Sequence, residues 1–296
     1  LQQANQTELL AKESALVDAV QAAGSLIVAY SGGVDSSLLA YYARKTLGGG
    51  AKIVIAISPS LAEEELQAAR AQARQFDWNL IEIGTTEVDR ADYQRNDAMR
   101  CYFCKSTLFE ELDKMSAQLG IAHVAYGANM DDLSDFRPGH KAAREHQVLS
   151  PLQTAQLNKS EIRELAKVAG LPSWDRPQAA CLSSRFPTFE TVNAPALSRV
   201  DAAERFIHSL GFKQVRVRNH TISGTAGGAA AVLLARIEVE QSEMDRFSND
   251  LTLFDRINTS LQELGYAFVT LDLAGYQQGS TNITSLKSPA AKDKGD

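Results

Sequence analysis

Leu26-Ile-Val-Ala-Tyr-Ser-Gly-Gly-Val-Asp-Ser-Ser37 passes from an apolar strand pattern through a glycine pair into the start of a helix. A chain that follows this order can form a cradle for phosphate. We expect Gly32 and Gly33 to adopt backbone angles closed to other residues and to let a phosphate approach the amides closely. Ser36 and Ser37 add hydroxyl donors at the first helical turn, where free N–H groups and the helix dipole favour an anion. The segment therefore predicts a phosphate-binding turn.

The spacing within this turn differs from two common nucleotide-binding motifs. It lacks the Gly-x-x-x-x-Gly-Lys spacing of a Walker loop and the Gly-x-Gly-x-x-Gly spacing of a dinucleotide site. It resembles the PP-loop, Ser-Gly-Gly-x-Asp-Ser, of ATP pyrophosphatases, which cleave ATP to AMP and pyrophosphate and thereby activate a carboxylate or carbonyl oxygen. The alternative is a tight β–α turn without a ligand. The resemblance implies that ATP is bound by Ser31, Gly32, Gly33, Asp35, Ser36 and Ser37.

Composition places the chain among ordinary soluble globular proteins. Its 296 residues are 44% hydrophobic and 22% charged, enough for a substantial core and two domains. The net charge of −6 argues against broad, non-specific binding to nucleic acid. Residues 1–23 contain no continuous apolar segment, so we expect no signal peptide, no membrane span and a cytoplasmic location. Three cysteines, an odd number, fit metal or redox chemistry better than a disulfide framework.

Strand and helix patterns alternate over the first 172 residues. Apolar residues recur at helical spacing over 61–76 and over 159–169, the second behind a candidate N-cap at Asn158. Strands that alternate with helices predict a parallel sheet covered on both faces, here an α/β domain over residues 1–172. Ligands bind such sheets at the carboxyl ends of the strands, where Ser31, Ser58 and Gly127 would lie. The four strand candidates are residues 26–30, 53–57, 79–83 and 122–126.

The pattern changes after Leu171-Pro172. Residues 173–189 hold two further prolines on either side of Cys181, which predicts an ordered connecting loop. Residues 190–279 then indicate a smaller α+β domain, with a helix ending at Gly211, a loop at Gly224–Gly228, and strands around Val215 and Val217 and over 233–240 and 267–273. Residues 280–296 carry too little apolar surface to fold and are predicted to be disordered.

The three cysteines fall in two places. Cys101-Tyr-Phe-Cys104 is a C-x-x-C followed by Lys105 and by a helical pattern from Ser106 onward, and Cys181 lies 77 positions beyond Cys104. A C-x-x-C fits a redox pair, half of a zinc site or two buried thiols. Three cysteines also suit an iron–sulfur cluster whose fourth iron stays open to an external ligand. The residues alone leave cluster, zinc and unremarkable thiols open.

Six segments now stand together: Ser31–Ser37, Arg100–Lys105, Tyr126–Asp132, Arg137–Gly139, Ser183–Pro187 and Val215–Arg218. This combination resembles the LarE family, the ATP-dependent sulfurtransferases of nickel-pincer nucleotide cofactor synthesis. The resemblance covers about residues 10–282. It implies a PP-loop ATP pyrophosphatase domain of the adenine nucleotide α-hydrolase-like class, followed by the smaller α+β domain.

The resemblance also implies a substrate, pyridinium-3,5-biscarboxylic acid mononucleotide. A carboxylate resists nucleophilic attack because it is anionic and would have to expel oxide. Transfer of AMP from ATP gives a mixed anhydride with a good leaving group, which a sulfur nucleophile can displace. The expected product is a thiocarboxylate, with sulfide or another sulfur donor as the second small-molecule partner.

Two variants of the sulfur step occur in this family. In one, a protein cysteine gives up its own sulfur; in the other, a 4Fe–4S cluster on three cysteines carries an extra sulfide. Alignment on Ser183–Pro187 puts Ala180 where the sacrificial cysteine would stand, with Cys181 one position later. The C-x-x-C is also absent from the sacrificial pattern. The resemblance therefore implies the cluster type, with the reactive ligands Cys101, Cys104 and Cys181, and a sacrificial cysteine as the alternative.

The resemblance assigns further residues to ATP and to the substrate. Asp35 is expected to orient Mg²⁺ or the phosphate turn, since pyrophosphate needs charge neutralisation as it leaves. Gly127 is expected to leave room for the nucleotide. Arg216 and Arg218 project from one strand face and are expected to clamp the substrate phosphate, for which the guanidinium fork is suited. The remaining candidates are Ala56, Ile57 and Ser58 for adenine, and Ser184, Arg185 and Glu204 for the substrate.

Three other functions compete with this interpretation. A PP-loop tRNA thiolase also uses ATP and three cysteines, but an acidic chain without a broad basic surface predicts no nucleic-acid partner. An amide-forming synthetase of the same superfamily would not need the thiols. A nucleotide-binding regulator with structural zinc would bind ATP without releasing pyrophosphate. The family further implies a homo-oligomer and an arginine that this chain replaces with Gln277.

Overall fold

The computed structural model describes residues 2–134, 138–177, 179–222 and 231–277. Arg137, the predicted loop Gly224–Gly228 and the predicted disordered tail 280–296 lie outside the described residues. The described strands are β1 (Leu26–Tyr30), β2 (Ala51–Ile57), β3 (Leu80–Gly84), β4 (His123–Tyr126), β5 (Val215–Ile222), β6 (Val232–Val239) and β7 (Phe268–Leu271). The described α-helices are α1 (Gln2–Ala22), α2 (Val34–Leu47), α3 (Glu63–Gln75), α4 (Ala91–Gln94), α5 (Arg100–Leu119), α6 (Pro138–Glu145), α7 (Pro151–Thr154), α8 (Lys159–Val168), α9 (Ala194–Ser209), α10 (Asp245–Asn249) and α11 (Thr252–Glu263).

The first sheet is parallel throughout and has the strand order β3-β2-β1-β4. Its strands lie within about two residues of the four predicted ones, and the apolar runs of β1 and β2 are largely buried, as expected inside a parallel sheet. Val28 and Ile53 join the apolar cluster beneath α2, whereas Ile27 and Val54 join a second cluster with Phe109 of α5. The predicted parallel sheet with helices on both sides is therefore confirmed.

The chain divides into two compact units, residues 1–93 with 98–181 and residues 94–97 with 182–296. The division falls inside the predicted connecting loop, directly after Cys181. The assignment of residues 94–97 to the second unit was not predicted. Backbone bonds explain it, since Val192 N–H donates to the Gln94 carbonyl at 3.0 Å and Phe189 N–H donates to the Asn96 carbonyl at 3.0 Å.

The second unit is built on a three-stranded sheet of order β5-β6-β7. β5 and β6 are antiparallel, with Val215 opposite Val239, and β6 and β7 are parallel. Val217 and Ile237 pack with Ile207 of α9 in one apolar cluster. This mixed sheet with helices agrees with the predicted α+β class.

Helices of the described residues are not of the kind that cross a bilayer. None of them is both long enough and apolar enough to span a membrane.

Helix α8 begins with the cap that its sequence predicts. The Asn158 side chain accepts a hydrogen bond from Glu161 N–H at 3.0 Å, and the Glu161 carboxylate accepts one from Asn158 N–H at 2.9 Å. These reciprocal bonds form a capping box, which satisfies two N–H groups that the helix leaves open. The N-cap prediction at Asn158 is confirmed, and the next residue, Lys159, is held at the helix start.

Replacing Asn158→Ala removes this cap, and we expect the free energy of unfolding to fall by about 1 kcal/mol. Urea unfolding followed by circular dichroism measures the change. Asn158→Asp is the matched control, because aspartate caps a helix about as well as asparagine. An alanine variant as stable as the aspartate variant would contradict the cap's contribution.

Candidate functional site

The phosphate turn connects the end of β1 to the start of α2. Gly32 has φ +78°, and a Cβ built on it would lie 3.2 Å from the Cβ of Ala69, so both backbone angle and space favour glycine. Gly33 has φ −73° and ψ 158°, an extended conformation open to any residue. The prediction of special backbone angles is therefore right for Gly32 and wrong for Gly33.

Hydroxyl groups hold the shape of the turn. The Ser36 hydroxyl accepts from Ser31 N–H at 3.1 Å and contacts the Ser31 hydroxyl at 3.0 Å. The buried Ser37 hydroxyl donates to the Gly33 carbonyl at 2.8 Å. The Ser36 hydroxyl also donates to the Gly33 carbonyl, at 3.1 Å, so both hydroxyls stabilise the turn and their donation to phosphate stays a prediction. The backbone N–H groups at the start of α2 remain as the donors for an anion.

Asp35 lies at the centre of a polar cluster on the sheet edge. Its carboxylate accepts a hydrogen bond from the Asn129 amide at 3.1 Å and forms an ion pair with the Lys159 ammonium group. Lys159 N–H in turn donates to the carboxylate of Asp131 at 2.8 Å. The sequence analysis missed Lys159, although its place directly after the predicted N-cap at Asn158 was a usable signal. The cluster puts a carboxylate and an ammonium group beside the phosphate turn.

Gly127 follows β4 and touches the start of α2. A Cβ built on it would lie 2.7 Å from the Ser36 nitrogen and 2.9 Å from the Asp35 carbonyl carbon. No real Cβ approaches backbone atoms so closely, so glycine is required where the end of β4 meets the phosphate turn. The predicted contact of Gly127 with the nucleotide stays a prediction.

The end of β2 leaves backbone groups available beside the turn. Pairing between β1 and β2 ends at Tyr30 and Ile55, so Ala56 and Ile57 extend beyond the end of β1. The other edge of β2 stays paired with β3, and the Ile57 carbonyl accepts from a backbone N–H at 3.1 Å. The Ser58 hydroxyl contacts the Ser60 hydroxyl at 2.8 Å. This arrangement is compatible with the predicted adenine contact of Ala56, Ile57 and Ser58.

The C-x-x-C forms the first turn of α5. The helix begins at Arg100, six residues earlier than the helical pattern predicted, so Cys101 and Cys104 are helical. None of the three cysteines forms a disulfide; Cys101 and Cys181 are exposed and Cys104 is half-buried. Cys101 and Cys104 are three positions apart in the helix and therefore lie on the same face of α5.

Folding brings Cys181 into the neighbourhood of the C-x-x-C. Burial raises the pKa of Cys104, and the charges of Glu87, Cys181 and Cys101 raise it further. Burial opposes the charge of Arg100, but interaction with Cys181 and Cys101 outweighs it, so the pKa of Arg100 is raised. The three thiols thus share one electrostatic environment beside a guanidinium group.

Three thiols fit an iron–sulfur cluster by residue type, because thiolates are the ligands that such clusters take. The positions of the thiols do not show a set of metal ligands. Among the described residues, no group of three Cys, His, Asp or Glu side chains is arranged so that it could hold a metal ion. The structure therefore supports the shared location of Cys101, Cys104 and Cys181, and leaves the cluster itself a prediction.

Two predicted substrate residues pair with each other in the second unit. Arg185 Nε and Nη2 each donate to the Glu204 carboxylate at 2.9 Å, and both side chains are buried. Glu204 also accepts from Val217 N–H at 2.8 Å. The Ser184 hydroxyl accepts from Arg185 at 3.0 Å. A fork-shaped buried pair of this kind holds the loop before α9 against β5, and direct substrate contact by Arg185 and Glu204 stays a prediction.

The two arginines of β5 differ in their partners. Arg218 is buried and donates to the Glu238 carboxylate at 3.0 and 2.7 Å. Its third donor group reaches the Ser184 carbonyl at 3.1 Å. A phosphate clamp at Arg218 would have to break this buried pair, which is costly. Arg218 is thus already neutralised by Glu238, and the predicted phosphate clamp of Arg216 and Arg218 stays a prediction.

Of the two arginines of β5, Arg216 is the one whose charge is not neutralised by an ion pair among the described residues. Burial lowers its pKa first, and the positive charge of Arg185 lowers it further. The guanidinium lies over the Tyr276 ring at 5.5 Å and donates to the Val215 carbonyl at 2.7 Å. Within the described ranges Arg216 forms no ion pair with a carboxylate. An anionic group would satisfy this guanidinium, and the binding of the substrate phosphate by Arg216 stays a prediction. The adjacent Gln277 contributes only its carbonyl to Arg218, at 3.4 Å.

Similarity to known proteins covers both compact units. The chain matches the NAD synthase family over residues 9–113. An uncharacterised protein of Synechocystis sp. is 42% identical over 88% of this chain and 93% of its own length. The pyridinium-3,5-bisthiocarboxylic acid mononucleotide synthase of Lactiplantibacillus plantarum is 34% identical over 96% of this chain and 98% of its own length. An uncharacterised protein of Methanocaldococcus jannaschii is 27% identical over 85% of this chain and 90% of its own length.

Replacing Gly127→Ala forces a methyl group into the backbone of α2, and we expect a loss of about 1–3 kcal/mol in the free energy of unfolding. Chemical unfolding monitored by fluorescence measures it. Gly49→Ala is the matched control, since nothing lies within 4 Å of a Cβ built there. Equal stability of the two variants would show that the close contact between β4 and α2 has no energetic weight.

Proposed function

The chain belongs to the LarE family, and from this premise we propose that it is an ATP-dependent sulfurtransferase of nickel-pincer nucleotide cofactor synthesis. Its substrate would be pyridinium-3,5-biscarboxylic acid mononucleotide. The observation that carries the proposal is that the phosphate turn and all three cysteines belong to the same compact unit. One rigid body would then hold both the nucleotide that activates the carboxylate and the groups that supply sulfur.

Activation would begin with attack of a substrate carboxylate oxygen on the α-phosphorus of ATP. A new P–O bond forms, the bond to the β-phosphate oxygen breaks, and pyrophosphate leaves. The backbone N–H groups of the turn and the Lys159 ammonium group would bind phosphate oxygens, and Asp35 would orient Mg²⁺. In the structure Lys159 and Asp35 neutralise each other. When magnesium and phosphate bind, this ion pair would be replaced by two others, Asp35 with Mg²⁺ and Lys159 with phosphate.

The sulfur step would displace AMP from the mixed anhydride. A sulfur nucleophile forms the C–S bond, the C–O bond to AMP breaks, and the product is a thiocarboxylate. Cys101, Cys104 and Cys181 would hold a 4Fe–4S cluster, which supplies sulfide when bound. The shared electrostatic environment of the three thiols supports this variant, and alanine at position 180 speaks against the sacrificial one.

The substrate phosphate would bind in the second unit. Arg216 supplies the charge, with Ser184, Arg185, Glu204 and Arg218 holding the surrounding loop and strand. A small-molecule substrate, an external sulfide donor, a cytoplasmic location and a homo-oligomeric state complete the proposal, in agreement with the predictions from the sequence.

Purified protein supplied with ATP, Mg²⁺, the pyridinium substrate and sulfide should release pyrophosphate and AMP together with a thiocarboxylate product. Mass spectrometry of the nucleotides and the product measures this. Asp35→Asn should lower the rate by about 100-fold, since it removes the charge that holds Mg²⁺. Amide formation from ammonia, or sulfur transfer to bulk tRNA at a comparable rate, would refute the proposed reaction.

The source of sulfur is tested by anaerobic reconstitution. We expect iron and acid-labile sulfide to bind wild-type protein and to be lost in Cys101→Ala, Cys104→Ala and Cys181→Ala. The intact mass of the protein should be unchanged after turnover, because its cysteines keep their sulfur. Full activity without iron, accompanied by loss of one sulfur from the polypeptide, would establish the sacrificial alternative.

A further inference from the structure

Two cations flank the phosphate turn, and each is paired with a carboxylate. Lys159 pairs with Asp35, as described above. Arg176 pairs with Glu65, and its Nη2 donates to both carboxylate oxygens at 3.0 Å. The Arg176 and Glu65 side chains keep 34% and 27% of their exposure, so the pair lies at the rim of the site and not in the core.

Glu65 places this second pair beside the turn. It lies in the first turn of α3, and its carbonyl oxygen is 3.8 Å from a Cβ built on Gly32. Burial raises the pKa of Tyr30 to about 12. The positive charge of Arg176 opposes this rise, because it lowers the pKa of Tyr30. Tyr30 is the residue directly before the phosphate turn. The charge of Arg176 therefore acts on the residue next to the turn.

Arg176 retains unused donors. A guanidinium carries five N–H groups, and the pair with Glu65 uses one nitrogen only. Across the described part of the chain, Nε and Nη1 of Arg176 have no hydrogen-bond acceptor. Each edge of a guanidinium that presents two parallel N–H groups includes Nη2, so such an edge matches the oxygens of a phosphate once Glu65 releases Nη2.

The loop that carries Arg176 is fixed from helix α8. Arg163 donates to the Trp174 carbonyl at 2.6 Å and to the Arg176 carbonyl at 2.9 Å. Lys159 and Arg163 are four residues apart and therefore share one face of α8. One helix thus presents Lys159 to the turn and, through Arg163, holds Arg176 beside it.

We propose that Arg176 is a second phosphate-binding residue, which binds the β- and γ-phosphates of ATP and the pyrophosphate that they become. The inference rests on the proposed ATP chemistry and adds a residue to it. Glu65 holds the guanidinium through Nη2 until phosphate arrives, and Nη2 together with Nε or Nη1 then takes the phosphate oxygens.

Equilibrium binding of ATP, pyrophosphate and AMP to Arg176 variants tests the proposal. Arg176→Gln should weaken ATP and pyrophosphate binding by about 10- to 100-fold, the range expected for charged hydrogen bonds, and change AMP binding by less than about twofold. Arg176→Lys should recover part of this loss, because it restores charge without the fork. Glu65→Gln should tighten pyrophosphate binding, since it frees the guanidinium.

Arg70→Gln is the matched control. Arg70 lies in α3, the helix that also carries Glu65, and pairs with Glu82 of β3 at similar exposure; it uses two nitrogens, Nε and Nη2, on the two carboxylate oxygens. We expect its ATP, pyrophosphate and AMP affinities to equal those of wild type. Thermal unfolding of every variant checks that the fold is retained.

Amide hydrogen exchange provides a second measurement. A purely structural role of Arg176 would not make the exchange rate of its loop depend on pyrophosphate. Pyrophosphate should protect residues 174–177 in wild-type protein and fail to do so in Arg176→Gln. The proposal is overturned if Arg176→Gln binds ATP and pyrophosphate like wild type, or weakens AMP binding equally. Wild-type protein that binds no ATP would instead refute the proposed function, so the two failures are distinguishable.

Discussion

The approach of Gly127 to the peptide between Asp35 and Ser36 is the contact on which the site depends. Parallel strands β1 and β4 are neighbours, so the loops that follow them leave the same edge of the sheet. Without a side chain at Gly127, the two loops touch backbone to backbone. Asn129, two residues beyond, then reaches Asp35 with its amide. The packing of one glycine therefore determines which polar groups meet the phosphate turn.

Many polar residues that look reactive in the sequence are committed to internal bonds. Ser37 bonds to the Gly33 carbonyl, Arg185 to Glu204, and Arg218 to Glu238. Buried charges are tolerated only when paired, so these residues build the frame of the site. The groups that remain for anionic ligands are backbone N–H groups and the cations with exchangeable or missing partners. Arg216 belongs to the second kind, and its chemistry matches a ligand that carries phosphate.

Agreement between sequence and structure was best where one element contains its own signal. The strands were predictable from apolar runs, and Asn158 from its position three residues before Glu161. Prediction failed where the outcome depends on a partner elsewhere in the chain. Lys159 was missed because its partner Asp35 is 124 positions away in the sequence. The early start of α5 was missed because Arg100 and Cys101 break the apolar pattern.

The sequence by itself determined the parallel sheet, the phosphate turn, the smaller α+β unit and the kinship with sulfurtransferases, because periodicity and short motifs are local properties of a chain. Only the tertiary structure decided that Cys181 shares the environment of a C-x-x-C 77 positions earlier, and that Arg216, not Arg218, lacks a carboxylate partner among the described residues. The physical reason is that charge pairing and burial arise between residues distant in sequence. No local pattern encodes which of several arginines finds an acid.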